Sequence, residues 1–457
     1  MNQSKSDFFK EIVLYAIPLL VFIIIISFFL PGTNGSNLSA DAKYTYAYNI
    51  DNDLITNWHS SLFMLEGIIV KKVLSFFAIS ITGYKVIQLF AFFLIAITVV
   101  SAAYLFRIIF KNLYLYGIAF LLFFVSYYHN GCCRLWGLDQ ILMHLLLPLI
   151  AIVVLCYRSP GKRSKFFFLL FGIFILWHCC DYRKIFLISA PIILYAILMA
   201  IEKFRSLCLI KRMMWFAVSF GAFVSVLMPT VDVLFSVPKS HPITPMLVSD
   251  IKIAYLLDGK LDELYDKNLI ENDNEEVDYT ITSYWNGIKK GRQMDDLKEM
   301  YIHEWLNNPE RMLGAKMLQI IQFYCGGVIP PVVREVVENH YPMVRANDKA
   351  WNIVFGVRVK EVCLRWMTVI MVFITVILSC VRIKKEKLCP LFDKAYVYTG
   401  LSVLVYFLGF IVVTPTPDYR FLMPIMFVGQ MLLVIRFLRW LSNRKKSQME
   451  TAEISQI

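Results

Sequence analysis

The sequence predicts an all-α polytopic membrane protein with about ten transmembrane helices. Three observations predict it. The 457 residues are 58% hydrophobic and only 18% charged, well short of a soluble domain's charge. Mean hydropathy is +0.59, and several apolar runs reach about 18 residues or more. Lys and Arg gather in alternate connections between those runs, as the positive-inside rule requires.

The runs fall at 12–30, 84–106, 113–129, 140–157, 166–180, 185–201, 213–236, 363–381, 395–414 and 420–438. The first has no small-residue cleavage site after it and reads as an uncleaved anchor. The fifth is the weakest, because Phe166 to Trp177 is short for a crossing and His178 and Asp181 follow at once. The basic connections are Arg107 to Lys111, RSPGKRSK, EKFRSLCLIKR, RIKKEK and RFLRWLSNRKK. With ten spans they share one side, cytoplasmic, with both termini. The loop 31–83 and the segment 238–362 then face outward.

A competing run at 313–332 carries Lys316, two Gln, three Gly and Pro-Pro, and counting it would turn the basic tail outward. Pro309 to Phe323 reads instead as an amphipathic helix on the outer surface, ended by Gly326-Gly327. The organisation is thus an N-terminal membrane module 1–237, an outer segment 238–362, C-terminal membrane helices 363–440 and a cytoplasmic tail 441–457.

Net charge is +12. Residues 238–361 hold 19 acids and 15 bases, so they contribute −4 and the rest +16. That split is topology and lipid-surface electrostatics, not a nucleic-acid footprint. The ten cysteines form no CxxC pair. Cys132-Cys133 and Cys179-Cys180 at outward ends are either bridged or simply small buried residues.

Ionisable residues at a membrane edge are costly, so their placement carries information. The first outer loop contains SADAKYTYAYNIDNDLITNWHSS, with Asp41, Asp51, Asp53, Trp58 and His59. HNGCCRLWGLDQ brings Arg134 and Asp139, WHCCDYRKI brings Asp181, Arg183 and Lys184, and TPTPDYRFLMP brings Asp418 and Arg420. Singly, these have ordinary explanations: Asp139 is placed as a helix N-cap, Asp418 and Arg420 as a local ion pair, the tyrosines as an aromatic belt. Together they put acids and bases from four loops on one face. Such a rim suits transfer of a sugar from a lipid-phosphate donor to a hydroxyl. The hydroxyl needs a carboxylate base. The anionic leaving phosphate needs cations, and the Arg fork matches its oxygens.

The motifs resemble those of the GT-C superfamily of integral-membrane glycosyltransferases, which includes protein mannosyltransferases and aminoarabinose transferases. The likeness runs through the membrane frame. LPGTNGSNLSADAKYTYAYNIDNDLITNWHSSLFMLEGII is similar to that family's first outer loop, where one bacterial branch reads Pro-Gly, Asp-Ser and Asp-Trp-His-Pro-Pro. This chain has Pro31-Gly32, Asp41-Ala42 and Asn57-Trp58-His59-Ser60-Ser61. WGLDQILMHLLL, PDYRFLMPIM and IHEWLNNPERML resemble later motifs, with Leu138 where the branch has Lys. The resemblance implies Asp41 as catalytic base, Asp139 as a second catalytic acid, and outer juxtamembrane helices with Trp58 and His59 lining the site. It maps Arg420 onto a late donor-site arginine. Asp181, Arg183 and Lys184 complete the expected substrate-binding set. A polyprenyl-phosphate sugar donor, a glycan, lipid or protein acceptor and an inverting reaction follow. Asp51 and Asp53 read as helix-end or loop acids, and a divalent cation, Mg or Mn, on Asp41 with its neighbours Asp51 and Asp53 stays open.

Two other classes compete. A ligase or polymerase of O-antigen type would use His303, Arg334, His340 and Arg345 in the long outer segment. A lipid or glycan transporter would show repeats and charged span centres, and neither is evident.

Overall fold

The computed structural model describes residues 11–22, 24, 45–56, 60–129, 138–159, 161–238, 244–260, 263–264, 294–325, 359–385, 391–411 and 422–454. It is 88% helical and no described residue is in a strand. The N-terminal helices are α1 (Glu11–Phe22), α2 (Ala47–Asp51), α3 (Ser61–Phe76), α4 (Gly83–Ile109), α5 (Leu113–His129), α6 (Leu138–Arg158) and α7 (Lys162–Tyr182). A 3-10 stretch, Lys184–Ile188, leads to α8 (Ala190–Met199), α9 (Glu202–Ser206), α10 (Leu209–Ala222) and α11 (Thr230–Leu234). The segment 238–362 holds α12 (Thr244–Leu257), α13 (Met294–Asn307) and α14 (Pro309–Cys325). The C-terminal helices are α15 (Val359–Lys385), α16 (Leu391–Gly409) and α17 (Met423–Ile454).

The chain is an integral-membrane type by composition and helix length. Among the described residues, six stretches are long and apolar enough to cross a membrane: Gly83–Ile109, Ile141–Arg158, Lys162–Tyr182, Leu209–Leu234, Cys363–Lys384 and Met423–Asn443. Three apolar helices are shorter: Glu11–Phe22, Leu113–Tyr127 and Ala190–Met199. The fifth apolar run, the weakest in the sequence, forms the continuous 21-residue α7. The sixth is the broken one. Its 3-10 stretch is followed by a ten-residue α8, whose Pro191 sits in the first turn where a missing N–H costs nothing. At about 1.5 Å per residue α8 covers only about half of the bilayer core. The irregular backbone there is shielded by protein: Phe186, Ser189 and Ala190 are buried, and Ser189 Oγ donates to the Ser402 carbonyl at 2.8 Å.

The bundle core packs α6 against α4, α7 and α17, and α15 against α16 and α17. One polar detail shows how the interior stays satisfied. Pro148 interrupts α6 and has no N–H, so the carbonyl of His144 lacks its helical donor. Thr98 Oγ1 on α4 donates to that carbonyl at 2.7 Å, and Tyr127 OH on α5 meets the His144 ring at 3.2 Å. A missing donor in one helix thus becomes a tie between three. By contrast α10 and the π-turn Phe223–Leu227 lie on the periphery, with Leu209, Ile210, Val226 and Leu234 exposed. Those side chains suit contact with lipid.

One end of the bundle carries a layer of short helices. Ser60 caps α3 through its Oγ, which accepts from Phe63 N at 3.0 Å. Leu62, Phe63, Met64 and Ile68 bury one face of α3, while Ile69, Val73 and Phe76 are exposed on the other. α2 crosses α4 so closely that a Cβ on Gly83 would meet the Ala47 carbonyl oxygen at 2.4 Å. Nearby, α12, α13 and α14 form their own small core around Ile251, Leu297 and Met312. α14 ends on the bundle: Phe323 stacks on Phe410, and Tyr324 OH donates to the Phe407 carbonyl. The expected helix from Pro309 is therefore present, with Pro at its first position; Gly326 and Gly327 lie outside the described residues.

Candidate functional site

The C-terminal end of α7 meets the N-terminal end of α3. Asp181 is 3% exposed. Its Oδ2 accepts from Ser60 Oγ and from Leu62 N, the latter at 3.1 Å. A carboxylate there satisfies backbone donors that a helix start leaves orphaned, and the helix dipole favours its charge. Asp181 thereby fixes where α3 begins, directly after Trp58 and His59. Lys184 and Asp232 lie within electrostatic reach of it. Asp232 arrives on α11, beyond the π-turn that re-aims the peripheral span.

Beside this cap sits a second cluster. His178 and Tyr182 are four apart on α7 and so share a face. Both reach Glu66 on α3: His178 Nε2 to Oε1 at 2.6 Å, Tyr182 OH to Oε2 at 2.5 Å. His178 Nδ1 contacts the Phe174 carbonyl at 2.7 Å. A carbonyl only accepts, so Nδ1 carries a hydrogen. The contact from Nε2 to Glu66 then holds one further proton, on the imidazole or on the carboxyl. The arrangement can store and pass a proton. Phe63 seals it, edge-on to Tyr182 at 5.5 Å.

The sequence-predicted residues distribute unevenly. Asp181 and Lys184 are brought together with Asp232, and Arg183 is the half-buried residue between α7 and the 3-10 stretch. Asp51 and Asp53 serve α3 and α4 instead. Asp51 Oδ1 accepts from Gly83 N at 2.7 Å and pairs with Lys71 at 3.5 Å; Asp53 pairs with Lys72 at 3.1 Å. Among the described residues no group of three His, Cys, Asp or Glu could hold a metal. Asp139 lies in the first turn of α6. Asp41, Trp58, His59 and Arg420 lie outside the described residues, as do Arg334, His340, Arg345, Cys132 and Cys133. Cys179 and Cys180 are buried thiols, and His303 is exposed on α13.

Sequence reading missed Glu66 and Asp232. The signal was there: each is the lone carboxylate of an apolar stretch, SLFMLEGIIV and VLMPTVDVLF. An isolated acid in such a run is a functional candidate by default.

Comparison of the chain with protein-family models, with curated proteins and with solved structures finds no match.

Proposed function

We propose that the chain is an integral-membrane glycosyltransferase. It moves a sugar from a polyprenyl-phosphate-linked donor to a hydroxyl acceptor at the outer membrane face, with inversion and with Asp41 as general base. One observation carries the reading: the meeting of α3, α7 and α11 at one bundle end, immediately after Trp58-His59. There Asp181 anchors the loop that holds those residues, Lys184 supplies positive charge, and Glu66, His178 and Tyr182 hold a mobile proton. Transfer from a lipid phosphate needs these elements at a membrane edge: a base for the acceptor, cations for the leaving phosphate, and a lateral opening for the lipid. Arg420, Arg183 and Lys184 are assigned to the donor phosphate, and Asp139 is the second acid. The exposed apolar face of α3 beside Lys71 and Lys72 suits a juxtamembrane helix lying at the interface.

The topology in this reading has ten spans, both termini cytoplasmic and the site outside. Cysteines at 45 and 270 should then be labelled by an impermeant reagent, and cysteines at 162 and 385 should not. External labelling at 162 would remove the ten-span arrangement.

The activity is tested by single-turnover transfer with purified protein, its donor first named by mass spectrometry of co-purifying lipids. Asp41→Asn keeps the shape and removes the basicity, so transfer should fall about 10²–10⁴-fold with donor binding retained. Asp53→Asn, at a carboxylate held in an exposed pair with Lys72, should be mild. Full transfer by Asp41→Asn would move the base elsewhere.

A further inference from the structure

The end of the bundle opposite this cluster contains a cavity of about 380 Å³ between α4, α6, α16 and α17. Its walls are apolar, Leu105, Ile109, Val154 and Ile435 among them. Arg158 and Arg439 also line it. Among the described lining residues none is acidic. The volume lies in the range of about 300–1,000 Å³ typical of small-molecule sites.

We propose that this cavity binds an anionic phospholipid, with the head-group phosphate on Arg158 and Arg439 and part of an acyl chain against the apolar wall. The inference is independent of the activity assigned to the other end. Three features support it. First, the site lies where the basic connections gather, as Arg107 to Glu11 and Lys165 to Glu202 contacts at the same end show. Basic pockets between membrane helices on that side are where lipid phosphates are held. Second, the guanidinium fork matches phosphate oxygens, and two from different helices clamp one group. Arg158 comes from the last turn of α6 and Arg439 from α17. Third, a soluble anion would leave the apolar wall uncovered, whereas a lipid covers wall and arginines together.

The test uses the full-length protein, delipidated in detergent and titrated with fluorescent phosphatidylglycerol in phosphatidylcholine micelles. The Arg158→Gln/Arg439→Gln double variant should weaken phosphatidylglycerol binding about 10–30-fold, the loss that two cations near a lipid surface account for. Val154→Phe keeps both arginines and fills the wall, and it too should weaken binding. Lys384→Gln, a charge at the same end that does not line the cavity, should leave binding unchanged. Equal binding by wild type and the double variant would overturn the proposal, as would an equal loss in Lys384→Gln, which indicates surface charge alone. Displacement by excess inorganic phosphate would assign the arginines to a free anion, and unaltered binding by Val154→Phe would remove the acyl chain from the cavity. Elution of each variant at the wild-type position on size exclusion keeps the comparison among folded proteins.

Discussion

The two ends of the bundle use the same residue types differently. At the end with α3, the carboxylates of Asp181 and Glu66 take hydroxyl, backbone N–H and imidazole groups as their hydrogen-bond partners. Asp181 accepts from a hydroxyl and a backbone N–H, and Glu66 accepts from a phenol and meets an imidazole. At the basic end, carboxylates meet full cations: Glu11 with Arg107 at 2.6 Å, Asp393 with Arg436 at 2.9 Å, Glu202 with Lys165 at 3.7 Å. The difference separates two jobs. A cation–carboxylate pair between helices fixes register and holds its proton inventory constant. A carboxylate that meets an imidazole and a phenol, as Glu66 does, shares a proton that can move. The first suits an anchor, the second suits chemistry.

The contrast breaks first, and most visibly, at Asp393. Its side chain is fully buried and that of Arg436 is only 20% exposed. Asp393→Ala leaves a mostly buried cation without its partner, a change that costs about 3–5 kcal/mol. The thermal midpoint in detergent should fall steeply, while Glu202→Gln, at a 75% exposed carboxylate, should leave it nearly unmoved. A wild-type melt for Asp393→Ala would mean that the pair anchors nothing.

At the other end the expected stability loss is smaller and the loss of function larger. Asp181→Ala removes the acceptor for Ser60 Oγ and Leu62 N. Unmet buried donors of this kind cost about 1–3 kcal/mol. Ser60→Ala loses the N-cap of α3 but leaves Leu62 N bonded to Asp181, about 1 kcal/mol. Both should still fold. If the start of α3 positions Trp58 and His59 for transfer, the rate at a temperature where both variants are folded should drop further in Asp181→Ala than in Ser60→Ala. Equal rates in the two variants would reduce Asp181 to a stabilising residue.

How far the sequence reveals these ends depends on the kind of contact. The apolar runs are local signals, and a helix lies in each of them. The break before α8 is different: 185–201 reads as one continuous span, and the helix start at Pro191 shows only beside the 3-10 stretch that precedes it. The tie from Thr98 to the His144 carbonyl was not, because residues 46 apart must first be brought together. The same holds for the candidate site. Asp181 was flagged as a charge at a rim, but its role as the cap of a helix 119 residues earlier needs the packing of α3 on α7. Asp51 and Asp53 were flagged for their charge, and Lys71 and Lys72, one α3 turn away from Gly67, already hold them. Glu66 escaped notice because one acid in an apolar helix was read as part of the loop, not as the partner of His178.

The segment between the two sets of membrane helices sharpens the comparison, because Asp250 combines both habits. Its carboxylate accepts from Tyr301 OH at 2.9 Å and meets Lys316 Nζ at 3.3 Å. Burial holds its carboxyl above the usual carboxylate range, against the lowering by Lys316 and Tyr301. Burial likewise pushes the Tyr301 phenol up to about 12, so that group stays a donor. A raised acid binds its proton more tightly in the folded than in the unfolded segment. The stability tied to that proton is complete below the unfolded value of about 3.9 and is lost as pH rises through the folded one. Its slope is at most about 1.4 kcal/mol per pH unit. Hydrogen exchange of α12 and α14, corrected for intrinsic rates, should therefore show protection falling as pH rises from about 4. Asp250→Asn cannot ionise, so its protection should change less over the same window. Parallel slopes in the two proteins would mean that Lys316 fully offsets burial, and that Asp250 behaves as an anchor of the basic-end kind.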